Sequence, residues 1–226
     1  MDDLKREALE KRKANLEAQL SSYGIMDYKV NHLPYLDYSN ERFQSEYEAG
    51  CRMMILFAIS YSAENLAERP HIIQWFKDEN IWNKVSPNEK AYLTNPHPDE
   101  DTIIEFSWRI EGALALGWCL NKVQSLPKLN SEGSDQEIDE LIDNLPLLGD
   151  PLTDFLSDLK YRDVEQIYDE NLVNELVTAY FRDLYINGQK DTTNIDGALS
   201  FERHRALNWL RMFMGMAEWD EVDTST

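Results

Sequence analysis

The stretch IIEFSWRIEGALALGWCLNKV, residues 103–123, decides the fold. Between Glu111 and Lys122 it carries no charge, and apolar groups cover nearly every face at helical spacing, the pattern of a helix buried on all sides. It predicts one central helix over about residues 102–122. Around it the sequence reads as an all-α fold, a single multi-helix globular domain spanning residues 1–226.

Upstream, Leu4, Ala8, Leu9, Leu16 and Leu20 recur at helical spacing among lysines and glutamates, and Gly24 stands where the helix would end. A second helix is expected over about residues 45–61, with Tyr47, Cys51, Met54, Ile55, Ala58 and Ile59 as its apolar stripe. Pro70 fits the first turn of a third, stopped near Asn80, which would turn Ile72, Ile73, Trp75 and Phe76 inward. In SPNEKAYL, residues 86–93, Ser86 and Glu89 have capping-box spacing, with Pro87 preorganising the first turn.

Downstream, residues 126–152 are rich in Pro, Gly, Ser and Asp and read as a linker or an irregular surface excursion, with one short helix capped by Ser134 and Glu137. Two further helices are expected over residues 163–168 and 171–186, closed by Gly188, and a last long one from Ser200 through SFERHRALNWLRMFMGM. Its apolar residues are Phe201, Leu207, Trp209, Leu210, Phe213 and Met214. No strand and no internal repeat is evident.

The chain has 42 acidic and 22 basic side chains, net charge −20. Residues 130–226 hold 22 acids against 7 bases (net −15), and residues 1–129 hold 20 against 15 (net −5). Such a field repels nucleic acid phosphates and anionic lipid; it serves solubility, or a docking face for a basic partner. The longest uncharged apolar run, residues 53–63, is well short of the roughly 20 residues that cross a bilayer, and the charged first twenty residues contain no secretory signal. Neither membrane nor nucleic acid is expected as a partner, and a cytoplasmic location is. Cys51 and Cys119, each in apolar helical sequence, read as small buried hydrophobes in a reducing compartment.

No catalytic residue, metal ligand or cofactor is assigned. His32, His71, His97 and His204 are scattered, the acidic runs at 99–102 and 219–223 lack the spacing of a calcium loop, and no phosphate loop or nucleophile elbow occurs. The charges beside the buried helix need an explanation, because a buried ion is costly unless paired. Glu105 and Arg109 are spaced i, i+4; Glu111, on the face of Trp108 and Ala115, must find another helix, with Arg203 or Arg205 as candidate partner. Arg205 and Trp209 share a face on which a guanidinium can stack on an indole. Trp108, Arg109, Glu111, Arg205, Trp209 and Asp220 are therefore the candidate site residues, either as a structural ion-pair network or as a pocket.

In their order along the chain, SPNEKAYL, WRIEGALALGWCL, ERHRALNWL and WDEVDT resemble a bacterial family catalogued as domain of unknown function 4272, over about residues 52–224. The resemblance implies a helical fold and marks Arg109, Glu111, Arg205 and Asp220 as shared polar positions; it implies no activity.

Three functions remain open. The first is a non-enzymatic acidic protein that binds a basic protein partner, as immunity-type inhibitors do. The second is a small-ligand binder or enzyme in which the arginines hold an anionic group and Glu111 is a base. The third is a structural subunit held by exposed aromatics such as Trp75, Trp82 and Trp219. Oligomeric state is not legible in the sequence.

Overall fold

The computed structural model describes residues 3–26, 28–130 and 135–224, with Asp135 as backbone only. Every regular element among them is helical, and the chain forms one all-α domain. Helix α1 (Asp3–Ser22) buries Leu9, Leu16 and Leu20 but leaves Leu4 in solvent. Gly24, at φ +92°, closes it while the Ile25 amide donates to the Leu20 carbonyl. Helix α2 (Glu46–Glu64) is capped by Ser45, whose hydroxyl accepts from the Glu48 amide. Nearly all of it from Ala49 to Ile59 is core, whereas Tyr47, expected on its apolar stripe, is exposed.

Helix α3 (Arg69–Asp78) begins with Pro70 in its first turn and is followed by Asn80 at φ 58°, the left-handed conformation that asparagine tolerates. Helix α4 (Pro87–Thr94) carries both halves of the expected capping box.

The central helix is not continuous. Helix α5 (Glu100–Ser107) and helix α6 (Arg109–Cys119) are broken at Trp108. Ser60 of α2 donates its hydroxyl to the Ser107 carbonyl at 2.9 Å, and the Glu111 amide, which would use that carbonyl in an unbroken helix, turns to Trp108 at 3.1 Å. The far end also stops early. Asn121, at φ 59°, ends α6 as the Lys122 amide reaches back to Gly117. Gly112 lets α6 approach closely: a Cβ there would stand 3.1 Å from Leu56 Cδ1 and 3.5 Å from Ala206 Cβ.

The remaining helices are α7 (Asp135–Asp143), α8 (Thr153–Ser157), α9 (Val164–Ile186) and α10 (Gly197–Leu210). The expected Ser134 cap of α7 lies outside the described residues. Helix α9 is one helix where two were expected, because the polar residues 169–171 continue the helix begun at its Asp163 cap. Helix α10 starts before Ser200: Asp196 is the cap, accepting from the Ala198 amide at 2.8 Å, while the Ser200 hydroxyl faces the Asn174 carbonyl. It ends at Leu210, and Met212 and Met214, both at positive φ, reverse the chain, so Phe201 and Met214 are exposed rather than core.

Two clusters of apolar side chains form the interior. The larger joins α2, α3, α4, α6, α7, α8 and the second half of α10; the smaller joins α1, α9 and Leu199. Residues 126–152 pack onto both, with Leu129 in the smaller and Leu141, Leu145 and Leu152 in the larger. Between α9 and α10 the seam is polar: Asn171 donates to Asn208 at 3.0 Å, and His204, fully buried, lies 3.2 Å from the Thr178 hydroxyl and 2.8 Å from Asn208. Every member has a partner, which is what lets such a seam fix register without leaving polar groups stranded.

Candidate functional site

The four stretches singled out in the sequence meet in space. Arg52 of α2 lies along α4, its Nη1 donating to both carboxylate oxygens of Glu89 at 2.8 Å and its Nη2 to the Lys84 carbonyl at 2.6 Å. Glu89 also accepts from the Ser86 amide, so one buried carboxylate serves cap and ion pair together. Arg109 donates to Glu202 of α10 and, at 3.0 Å, to Glu105. Arg203 grips Glu111 through Nε at 3.1 Å and Nη2 at 2.9 Å, and donates to the Pro127 carbonyl at 2.7 Å. Of the two partners expected for Glu111, Arg203 takes the role.

Arg109 is therefore spent in ion pairs with almost no exposure, and the open pocket imagined around Arg109, Arg205 and Trp209 is absent from their surroundings. Arg205 does not stack on Trp209 as its spacing suggested. Its guanidinium lies 4.6 Å from the centre of the Trp219 ring and 3.9 Å from Asp220, because the reversal after α10 folds the tail back over the helix. Burial, with Arg109 next to it, lowers its pKa. Trp209 donates its indole N–H to the Ala217 carbonyl at 2.9 Å and meets Trp219 edge to face, 6.2 Å between centroids. Asp220 accepts from the Asn88 amide at 2.9 Å, at the positive end of α4. Trp75 and Trp219 are buried and Trp82 is half-buried, so none is the freely exposed aromatic that a hot-spot surface would use.

Trp108, at the helix break, belongs to a different feature. With Phe57, Ser60, Tyr61 and Glu64 of α2, Ile110 and Glu111 of α6, and Ile138 and Ile142 of α7, it lines a groove of about 300 Å³. Phe57, Tyr61 and Ile142 are shared with an adjoining hollow of about 350 Å³, completed by Leu145, Pro146, Leu147 and Leu148. No lysine, arginine or histidine lines either. Leu147 and Leu148 are 66% and 39% exposed, yet their turn is fixed. The Leu147 amide donates to the Asp150 carboxylate at 3.1 Å, Gly149 supplies the positive φ, and Trp75 donates to the Asp150 carbonyl at 2.8 Å.

Among the described residues no group of three or more His, Cys, Asp or Glu is arranged to hold a metal ion, and no helix is long and apolar enough to cross a membrane. Cys51 and Cys119 are free and buried, and burial pushes the Cys51 thiol up to about 11.

A family model described as Domain of unknown function (DUF4272) matches residues 12–222. The chain belongs to this family. No curated protein and no solved structure matches it. The DUF4272 match takes in the N-terminal residues from Arg12, where the quoted motifs begin only near Arg52. Arg12 is itself a buried anchor, donating to Asp169 at 2.6 Å, to the Leu36 carbonyl at 2.9 Å and to Glu165.

Two participants in the DUF4272 site escaped sequence reading. Arg52 is the lone charge in the apolar run CRMMILFAIS, a signal of the same kind as Arg109. Glu202 sits among so many charges in ERHR that nothing set it apart.

Proposed function

We propose that this protein is a non-enzymatic, acidic interaction protein of the cytoplasm, whose groove between α2, α6 and α7 docks a basic, amphipathic segment of a protein partner. The observation that carries the reading is the pair of leucines, Leu147 and Leu148, displayed on a hydrogen-bonded turn beside an apolar groove bordered only by carboxylates. Exposing apolar side chains on a rigid turn is unfavourable in water, and such patches mark binding surfaces.

Charge complementarity selects the occupant. Glu64 lines the groove, and Asp139 and Asp143 are exposed on α7 next to Ile138 and Ile142. Helix α7, DQEIDELID, contains no basic residue. A helix presenting leucine-like side chains to the floor and lysines or arginines to the rim satisfies both features. The same field disfavours nucleic acid.

The test is calorimetric titration of the full chain with a synthetic leucine–lysine amphipathic helical peptide. Controls are a sequence-scrambled peptide and one with glutamate for lysine. The amphipathic peptide is expected to bind, with affinity falling as salt rises, and Ile142→Asp or Leu147→Asp each to weaken it about tenfold or more. Equal binding of the scrambled peptide, or unchanged binding by both variants, would refute the reading.

A further inference from the structure

On another face of the molecule, a hollow of about 550 Å³ opens between the start of α2, α4 and the C-terminal tail, and shares no lining residue with the groove. We infer that this hollow is a binding site for a small zwitterion of the free α-amino acid type.

Its volume lies within the range of small-molecule pockets, roughly 300–1,000 Å³. What distinguishes it is unmet hydrogen-bonding capacity on the residues that line it. Arg52 and Trp219 are 5% and 2% exposed, and Arg52 Nε and Trp219 Nε1 have no acceptor; Asp220 Oδ1 has no donor, its nearest cation being Arg205 at 3.9 Å. Each buried group left unpaired costs about 1–3 kcal/mol, so three on one wall of one hollow call for a partner that supplies two acceptors and a donor.

The surrounding charges narrow the chemistry. Glu48, Glu218, Asp220 and Glu221 face the hollow against Arg52, Lys84 and Lys90. Glu89 already neutralises Arg52, and Lys84 is tied to Glu48 at 2.5 Å. The balance is negative, which repels phosphates and other polyanions. A simple amine would leave both N–H groups unanswered, and a simple carboxylate would leave Asp220 unanswered beside a negative rim. A carboxylate and an ammonium on one small molecule answer all three: the carboxylate accepts from Arg52 Nε and Trp219 Nε1, and the ammonium donates to Asp220 Oδ1. The indoles of Trp209 and Trp219 provide the apolar wall for the rest of the ligand.

The experiment is calorimetry and thermal melting of the full chain against the free amino acids, with acetate, methylamine and inorganic phosphate as single-charge probes. At least one amino acid is expected to bind and raise the melting temperature, with the single-charge probes far weaker, and to slow hydrogen exchange at residues 84–90 and 217–221. Trp219→Phe keeps a ring over Arg52 and Arg205 but removes the N–H, and Asp220→Asn removes the charge; each should weaken binding about tenfold. If either variant fails to fold, the wild-type exchange footprint decides. Absence of binding by every amino acid, equal binding of acetate, methylamine or phosphate, a footprint elsewhere, or full affinity in both folded variants would each overturn the inference.

Discussion

At the level of single residues, charges inside the domain are tolerated because each is met by an opposite charge from a different helix. Arg203 and Glu111 are both essentially inaccessible to solvent and lie 2.9 Å apart. Removing one partner strands the other, so Arg203→Ala should cost about 3–5 kcal/mol in urea denaturation, whereas Arg203→Met combined with Glu111→Leu should recover most of the loss. His204 makes a second residue-level prediction. Burial, followed by Arg211, lowers its pKa to about 3, against 6.5 for the free side chain. As pH falls below 6.5 the unfolded chain takes up the proton first. His204 therefore contributes stability at neutral pH that is lost between 6.5 and about 3, at up to about 1.4 kcal/mol per pH unit. Denaturation at pH 7 and pH 5 should show a loss in the wild type that His204→Gln largely abolishes. Residues whose partners are local were legible: Glu105 and Arg109, four apart, pair as their spacing required. Arg52 and Glu89, 37 positions apart, were not, because the capping box already accounted for Glu89.

At the level of helices, termini written in local chemistry were readable and interruptions imposed from a distance were not. Ser45, Ser86, Gly24 and Gly188 cap or close helices where their residue types indicate. The break at Trp108 has no proline or glycine to announce it. It depends on the Ser60 hydroxyl of another helix, and Ser60→Ala should cost about 1 kcal/mol and perturb the Trp108 environment in near-ultraviolet circular dichroism. The early end of α10 depends likewise on a tail anchored by Trp219 and Asp220. Packing between helices gives a further test. Gly112→Val would drive branched methyl groups toward Leu56 and Ala206, and should destabilise the domain by about 1–3 kcal/mol while Gly188→Ala, in open space but at positive φ, should cost about 1 kcal/mol through backbone strain alone.

At the level of the whole molecule, charge and shape converge on one face. The net −15 carried by residues 130–226 was plain in the sequence, but its association with an apolar groove was not, because Phe57, Tyr61, Trp108 and Ile142 come together only when α7 folds over α2 and the break between α5 and α6. Charge reversal on the rim, Asp139→Lys with Asp143→Lys, should slow association with the leucine–lysine peptide and flatten its salt dependence while leaving the melting temperature nearly unchanged. The central claim is that the groove itself is the docking site, and hydrogen–deuterium exchange of the full chain with and without that peptide tests it most directly. The account predicts slowed exchange in the second half of α2, around residues 107–111, in α7 and in the 145–150 turn. Protection confined to α1 and α9, or none at saturating peptide, would contradict it.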